Sequence, residues 1–258
     1  MRDALEGPGL AIDARSAGGR FGELDKLAAE VVRMRPDVIV AHEVPSVAAA
    51  AKATQRIPIV MAPASERIAG PNITGLVADS ARQAAGIIGL GRDLKPNARR
   101  IALLANADDP SSRALLNTLN QAAARIRVPV GIALVRSADD YEAAFAQWDR
   151  LRVQVLIVGP TAHAKRSAEL AQRFRLPAVS VADGFVEAGG LASYAISSRE
   201  TARKTATYVE RILKGARPSE LPVEPIGTFD LSLNLKTATA LDLEFPDGVL
   251  ARANAVVQ

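Results

Sequence analysis

Apolar residues follow two different spacings along this chain. Short, near-continuous runs of Val, Ile and Leu are typical of strands buried on both faces of a parallel sheet. Between these runs, apolar residues recur every three or four positions, as in Gly22–Met34, where Leu24, Leu27 and Val31 fall on one helical face. Because strands and helices alternate, the pattern predicts an α/β fold whose parallel sheets are covered by helices on both faces.

The individual elements follow from the same pattern. It predicts strands at Leu10–Ala14, Asp37–Ala41, Ile57–Met61, Arg100–Ala105, Val128–Val135, Val153–Val158 and Ala178–Val181. It predicts helices at Gly22–Met34, Ser46 to about Gln55, about Asp79–Leu94, Ser111–Arg125, Ala138–Leu151 and His163–Phe174. The segment PASERIAGPNITG, between the third strand and the third helix, is predicted to be a loop.

The last quarter, Glu210–Leu243, predicts a helix, a connector, a strand and another helix. The first helix should stop at Gly215, since glycine favours the left-handed conformation of helix ends. Pro218, Pro222 and Pro225 are expected to forbid regular pairing and to keep the connector extended. A long extended connector late in an alternating α/β chain indicates a segment that passes between two lobes.

The length of 258 residues allows two lobes. The segment Lys95–Arg99 is the expected break between their sheets. We expect residues 1–95 with 196–222 to form the first lobe, and residues 96–195 with 223–258 to form the second. Each lobe is expected to be Rossmann-like, with a hinge between the two.

Composition excludes several classes of function. The pI of about 9.6 reflects arginines interspersed with acids at a net charge of only +4, and aromatic residues make up 4% of the chain, so a nucleic-acid surface is not expected. Cys is absent and the two histidines, His42 and His163, are far apart, so neither a metal centre nor a cofactor is predicted. The chain as given shows no membrane-spanning run and no signal peptide.

Candidate chemistry lies directly after the predicted strands, where ligands bind to open parallel sheets. Helix N-termini at these loops present backbone N–H groups and a partial positive charge to a carboxylate or phosphate. The predicted ligand-binding residues are His42, Glu43, Ser46, Ser65, Asn106, Asp108, Thr161, Asp183 and Tyr194. The acids among them, beside helix N-termini, suit a zwitterion, with its amine on the acids and its carboxylate on the N–H groups.

Several of these residues also have structural interpretations. Asp109, followed by Pro110, is favoured as a helix N-cap, whereas the role of Asp108 stays evenly balanced. Ser46 and Thr161 are candidates for helix capping, for ligand contact or for both. His42 is also interpreted as a partly buried residue at the edge of the core. His163 is expected to face solvent, and Ser137 with Asp140 resembles a capping box. Tyr194 follows two glycines in an extended segment, which suits a pocket.

The segments LAAEVVRMRPDVIVA, ARRIALLANADDPSS, VQVLIVGPTA, VEAGGLASY, ILKGARPSELPV and NLKTA occur in this order. Together they resemble the substrate-binding proteins of ABC transporters for tryptophan- and tyrosine-type uptake, from about Leu10 to the C-terminus. The resemblance implies two α/β lobes that capture an amino-acid-like ligand in the cleft between them. It implies delivery of that ligand to a membrane permease and its ATPase, with membrane contact only through the permease and a periplasmic or extracytoplasmic location.

The chain also differs from the family that it resembles in two respects. A signal and a first strand–helix unit normally precede the segment that resembles ALEGPGLAIDARSA, so the first lobe is expected to be incomplete. The loop MAPASERIAGPNITG is shortened, and Ala or Ser stands where an Asp is common.

Two other functions stay open at this point. A regulatory effector-binding protein of the same fold needs no transporter. An α/β enzyme would need a nucleophile, a base and an orienting group together, and the spacing of Ser111, His163 and Asp183 does not support such a set. We therefore expect no catalysis.

Overall fold

The computed structural model describes residues 10–258, which divide into two compact units. The first unit contains the described residues up to Asp79 together with Ser197–Thr228, and the second contains Ser80–Ile196 with Phe229–Gln258. The chain therefore passes from one unit to the other three times, after Asp79, Ile196 and Thr228. No helix within residues 10–258 is both long enough and apolar enough to cross a bilayer.

Helices and strands alternate through most of the described chain. The helices are α1 Leu24–Arg33, α2 Glu43–Ala53, α3 Ser80–Leu94, α4 Ser112–Ala124, α5 Ala138–Leu151, α6 Ala164–Arg173, α7 Ser198–Leu213, α8 Leu235–Ala240 and α9 Asp247–Leu250. The strands are β1 Ile39–Ala41, β2 Ile59–Ala64, β3 Ile73–Ala78, β4 Ile101–Asn106, β5 Val130–Val135, β6 Val155–Val158, β7 Ala178–Ser180, β8 Ala192–Ile196, β9 Val223–Ile226, β10 Phe229–Asn234 and β11 Ala255–Val257. Short 3-10 turns occur at Phe21–Glu23 and Pro218–Glu220.

The first unit is built on a four-stranded sheet in the order β1-β2-β3-β9, and all its neighbouring strands are parallel. Its core joins the strands to the apolar face of α2, with Val47, Ile59 and Met61 fully buried. Burial on both sides accounts for the continuous apolar sequence of β2.

The second unit contains a seven-stranded sheet in the order β11-β10-β8-β7-β6-β4-β5. Every neighbouring pair is parallel except β8 and β10. Leu103 and Leu104, adjacent in β4, enter different hydrophobic clusters, and both are fully buried. The sheet therefore has a core on each face, which is the doubly covered α/β arrangement predicted from the sequence.

The predicted strand at Leu10–Ala14 is wrong. This segment is irregular in the structure and pairs with no described strand, and 44% of Leu10 is exposed. A strand is stabilised by a hydrogen-bonded neighbour, and a short apolar sequence without one does not form it.

The predicted loop PASERIAGPNITG, from Pro63 to Gly75, is also corrected. β2 continues to Ala64, and β3 begins at Ile73, inside the segment assigned to the loop. The sequence pattern does not predict these strands, because Pro63 and Gly75 are residue types that normally disfavour strand interiors. A register shift between Met61 and Ala64 accommodates the proline, and Gly75 takes a φ of 119°.

The connector after α7 does form regular pairing, contrary to expectation. β9 lies parallel to β3 and places Pro225 opposite Val77. Because β9 is the outermost strand of its sheet, the missing N–H of Pro225 needs no partner on the open side.

The division between the units differs from the expected boundary at Lys95–Arg99. Helix α3 belongs to the second unit, because Ala84, Ile87 and Ile88 are buried in that unit's core. The last of the three crossings lies after Thr228 rather than after Pro222, since β9 completes the first unit's sheet.

We predict that Gly75→Ala destabilises the protein by about 3 kcal/mol, because left-handed backbone and steric overlap both oppose the change. A Cβ at this position would meet the backbone oxygen and nitrogen of Met61. The matched control is Gly89→Ala within α3, where an added Cβ meets nothing within 4 Å. The better helix propensity of alanine should raise the free energy of unfolding of the Gly89→Ala variant by about 0.5–1 kcal/mol. Urea unfolding of both variants checks this, and equal effects would contradict the assigned packing of β2 on β3.

Candidate functional site

In the first unit, the loop after β1 leads directly into a helix without a side-chain cap. His42 has an extended backbone, and α2 begins at the next residue, Glu43. No side chain of the N-cap residue accepts a hydrogen bond from the first turn. The turn therefore retains backbone N–H donors and the positive end of the helix dipole.

Glu43 has an unusual backbone conformation for a residue with a side chain. Its φ is 64°, in the left-handed region that favours glycine. Such conformations cost about 1–3 kcal/mol and cluster at functional sites. The structure thus contains a local strain at one of the sequence-predicted ligand residues.

His42 lies beside this glutamate, with 4.0 Å between the His42 Nδ1 and the Glu43 Oε1. Although 59% of its side chain is exposed, the surrounding protein removes enough water to lower the pKa of His42. Desolvation disfavours the charged imidazolium, so the ring is neutral at pH 7. His42 thus offers a hydrogen-bonding group rather than a permanent positive charge.

Ser46 lies one turn into α2 and is half-buried. Its hydroxyl makes no hydrogen bond to any other residue within 10–258, so both its donor and its acceptor capacity are available. Ser65 lies just beyond β2 and is exposed. The structure therefore brings His42, Glu43 and Ser46 together in one turn and places Ser65 at the same edge of the sheet.

In the second unit, Asp109 links two loops at the carboxyl ends of neighbouring strands. Its carboxylate accepts the Ser111 backbone N–H at 2.8 Å and the Ser111 hydroxyl at 2.6 Å. Its other oxygen accepts the Thr161 hydroxyl at 2.7 Å. The predicted role of Asp109 as the helix N-cap is wrong, because α4 begins at Ser112 and its N-cap residue is Ser111. Asp109 instead holds the turn that precedes the helix, and only 4% of it is exposed. Thr161, predicted as a ligand residue, thus also joins the loop after β6 to the loop after β4.

Asn106 is the last residue of β4, and Asp108 lies in the loop that follows. The Asn106 side-chain oxygen accepts the Asp108 backbone N–H at 2.9 Å, which shapes the turn. The Asp108 carboxylate accepts the Arg136 Nε–H at 2.7 Å, and this bond raises the pKa of Arg136. Both side chains are more than half exposed, so the pair contributes little stability and is open to exchange with a charged ligand.

Arg136 is a functional candidate that the sequence reasoning missed. It follows β5 directly, at the same edge as Asp108. The rule that selected residues after the other strands would have found it if it had been applied to β5. A guanidinium at this place offers a fork-shaped donor set for a carboxylate.

The remaining predicted residues lie elsewhere in the second unit. Asp183 is exposed in the segment after β7. Tyr194 lies in β8, and its ring stacks on Phe229 with centroids 5.2 Å apart and packs against Gly86. Tyr194 is half-buried, so packing accounts for much of its surface.

His163 is exposed and serves as the N-cap of α6. Its side-chain Nδ1 accepts the Arg166 backbone N–H at 3.3 Å, and the His163 backbone N–H donates to the Tyr141 hydroxyl at 2.7 Å. Burial raises the pKa of Tyr141. Unlike α2, helix α6 therefore begins with its first turn capped by protein groups. Within residues 10–258, no group of three or more acidic or histidine side chains is placed to hold a metal.

The sequence profile of the family described as "ABC transporter substrate binding protein" matches residues 3–257. A tyrosine-binding protein of Clostridioides difficile is 23% identical over 256 residues, a match that covers 93% of this chain and 72% of that protein.

Solved structures show the same fold. A conserved domain protein from Vibrio cholerae O1 biovar eltor superposes with a TM-score of 0.87 at 26% identity, covering 98% of this chain and 92% of that one. The structure of an ABC domain in complex with L-Trp from Streptococcus pneumonia superposes with a TM-score of 0.85 at 23% identity, covering 99% and 93%.

We predict that Asp109→Ala lowers the free energy of unfolding by about 2–3 kcal/mol, because it removes three hydrogen bonds to a buried carboxylate that joins the loops after β4 and β6. Asp108→Ala is the matched control next to it in the chain, and loss of its exposed ion pair should cost less than about 1 kcal/mol. Denaturant titrations followed by circular dichroism give both values. The interpretation of Asp109 as a link between two loops is contradicted if the two substitutions cost the same.

Proposed function

The chain belongs to the family of ABC transporter substrate-binding proteins, and we propose that it captures an amino acid with an aromatic side chain for import. The tyrosine-binding relative and the L-Trp complex support this class of ligand. The proposed ligand contacts are the residues predicted from the sequence, His42, Glu43, Ser46, Ser65, Asn106, Asp108, Thr161, Asp183 and Tyr194.

The observation that carries this proposal is the start of α2. Its first turn lacks a side-chain cap, it begins at a strained Glu43, and the Ser46 hydroxyl has no partner among residues 10–258. A ligand carboxylate would accept hydrogen bonds from the backbone N–H groups and from this hydroxyl, and the helix dipole would favour its charge. The neutral His42 imidazole adds a further polar group without a competing charge.

The ammonium group of the ligand needs acidic partners, and Glu43, Asp108 and Asp183 are the proposed ones. Asp108 is ion-paired with Arg136 in the structure. Because this pair is exposed, an arriving ammonium exchanges with the guanidinium at little cost. Arg136 is then released to pair with a carboxylate, so we add it to the proposed contacts.

The proposed partner is a membrane permease with its ATPase, and the proposed place of action is outside the cytoplasmic membrane. The family supports both, because its description is that of the substrate-binding protein of an ABC transporter. We also propose that the protein does not turn over its ligand. Ser111 bonds to Asp109, and His163 caps α6. Neither residue therefore serves the other as nucleophile or base.

We predict that L-tyrosine and L-tryptophan bind by calorimetry and raise the melting temperature. Stabilisation should approach about 2.7 kcal/mol at a 100-fold excess over the dissociation constant. Tyramine, which lacks the carboxylate, and 3-(4-hydroxyphenyl)propionate, which lacks the amine, should each bind far more weakly. Equal binding of L-tyrosine and both analogues would contradict recognition of a zwitterion.

Ser46→Ala should weaken L-tyrosine binding about tenfold, the value of one hydrogen bond to a charged group. The matched control is Thr118→Ala, because among residues 10–258 the Thr118 hydroxyl bonds only to the Ala114 carbonyl of its own helix. Its affinity should equal that of the unmodified protein. If Ser46→Ala binds as tightly as the control, the start of α2 is not the carboxylate site.

A further inference from the structure

The second unit has a basic groove at the edge of the sheet opposite the loops described above. Its volume is about 900 Å³. It lies where β4 and β6 begin and where α5 and α6 end. Five arginines line this groove, namely Arg99, Arg100, Arg150, Arg152 and Arg175. We call it the arginine groove.

The charges in the arginine groove are not balanced by acids. Within residues 10–258, none of the five guanidinium groups has a carboxylate within 4.0 Å, and Asp149 is the only acid that lines the groove. Arg100 donates to the Leu151 carbonyl, and Arg150 donates to the Ala146 carbonyl at 3.4 Å. The C-termini of α5 and α6 add a negative charge of about half a unit each, which offsets only one arginine. The groove therefore keeps a strong positive potential.

Two of these arginines occupy backbone positions where glycine is favoured. Arg152 ends α5 with φ 54° and ψ 48°, and Arg175 follows α6 with φ 50°. Arg35 and Arg127 take the same conformation after α1 and α4, so arginine at a helix end is a general feature of this chain. In the arginine groove, two such residues converge with Arg99 and Arg100 on one concavity.

We propose that the arginine groove binds a multivalent phosphate anion. Guanidinium groups donate in a planar fork that matches phosphate oxygens, and several converging forks neutralise several charges at once. The volume lies in the range of small-molecule sites. A phosphate group carries about 1.5 to 2 negative charges at pH 7. Two or three linked phosphates therefore neutralise the charges of several arginines in the groove, whereas a single carboxylate does not. The same chemistry is offered by a free oligophosphate and by several phospholipid headgroups side by side in an anionic bilayer.

The groove contains its own reporter. Trp148 lines it and is the only tryptophan in the chain. Titration with sodium tripolyphosphate should change the Trp148 emission and release heat in calorimetry. The double variant Arg152→Gln, Arg175→Gln should weaken this binding at least about tenfold, since each lost charge-assisted bond contributes on this scale.

The matched control is Arg113→Gln, Arg125→Gln, which removes the same charge from exposed arginines of α4 and its C-terminus. Its affinity for tripolyphosphate should match that of the unmodified protein. Failure of tripolyphosphate to bind by both measurements overturns the proposal, and so does an equal loss in the two double variants, which would indicate unspecific attraction.

Vesicles distinguish the two sources of phosphate. The site would be assigned to lipid headgroups if the protein sediments with phosphatidylglycerol vesicles but not with phosphatidylcholine vesicles. Tripolyphosphate should then release the protein from the phosphatidylglycerol vesicles. Tripolyphosphate binding without vesicle binding would assign it to a free anion. The readout is independent of amino-acid binding, so failure of either proposal leaves the other standing.

Discussion

Both units depend on parallel pairing of strands that are buried on both faces. In the second unit, the backbone N–H and C=O groups of the central strands hydrogen-bond to neighbouring strands, and their side chains fill the cores on the two faces of the sheet. Polar side chains that act on a ligand are consequently confined to the two edges of the sheet, where strands meet loops. Parallel direction makes these edges chemically different, because helices begin at one and end at the other.

The distribution of charge follows this difference. At the carboxyl edge, helix N-termini favour negative and hydroxyl groups, and Asp108, Asp109 and Thr161 lie there. At the amino edge, helix C-termini favour cations, and Arg152 and Arg175 lie there. The same helix dipoles thus produce an edge suited to a zwitterion and an opposite edge suited to an anion with several charges. The two proposals rest on different residues but on one architectural cause.

Local sequence signals predicted local structure well. Helix α5 has the predicted bounds because the capping box of Ser137 and Asp140 fixes its start, and the left-handed Arg152 fixes its end. The family and the two-lobed α/β fold class were also predicted from ordered segments that span the chain. By contrast, β3 and β9 were missed, since Gly75 and Pro225 are strand-breaking residues in isolation and are tolerated only by virtue of their neighbours.

The candidate site was predictable only in part. The rule that ligands bind after parallel strands selected the loops, but it gave no sign that Asp109 and Thr161, 52 positions apart, bond to each other. It also gave no sign that Glu43 is strained or that Tyr194 packs against Gly86, because both depend on contacts made in the folded chain. Whether the predicted residues bind a ligand stays a prediction.

The most direct test of the central claim, that the chain captures a zwitterionic amino acid, is native mass spectrometry of protein purified without denaturation. We predict a second species heavier by the mass of one amino acid, which fragments to free tyrosine or tryptophan and disappears after unfolding and refolding. A retained ligand without both an amine and a carboxylate would contradict capture of a zwitterion. So would protein that stays unliganded when it is sprayed from a solution with excess aromatic amino acids.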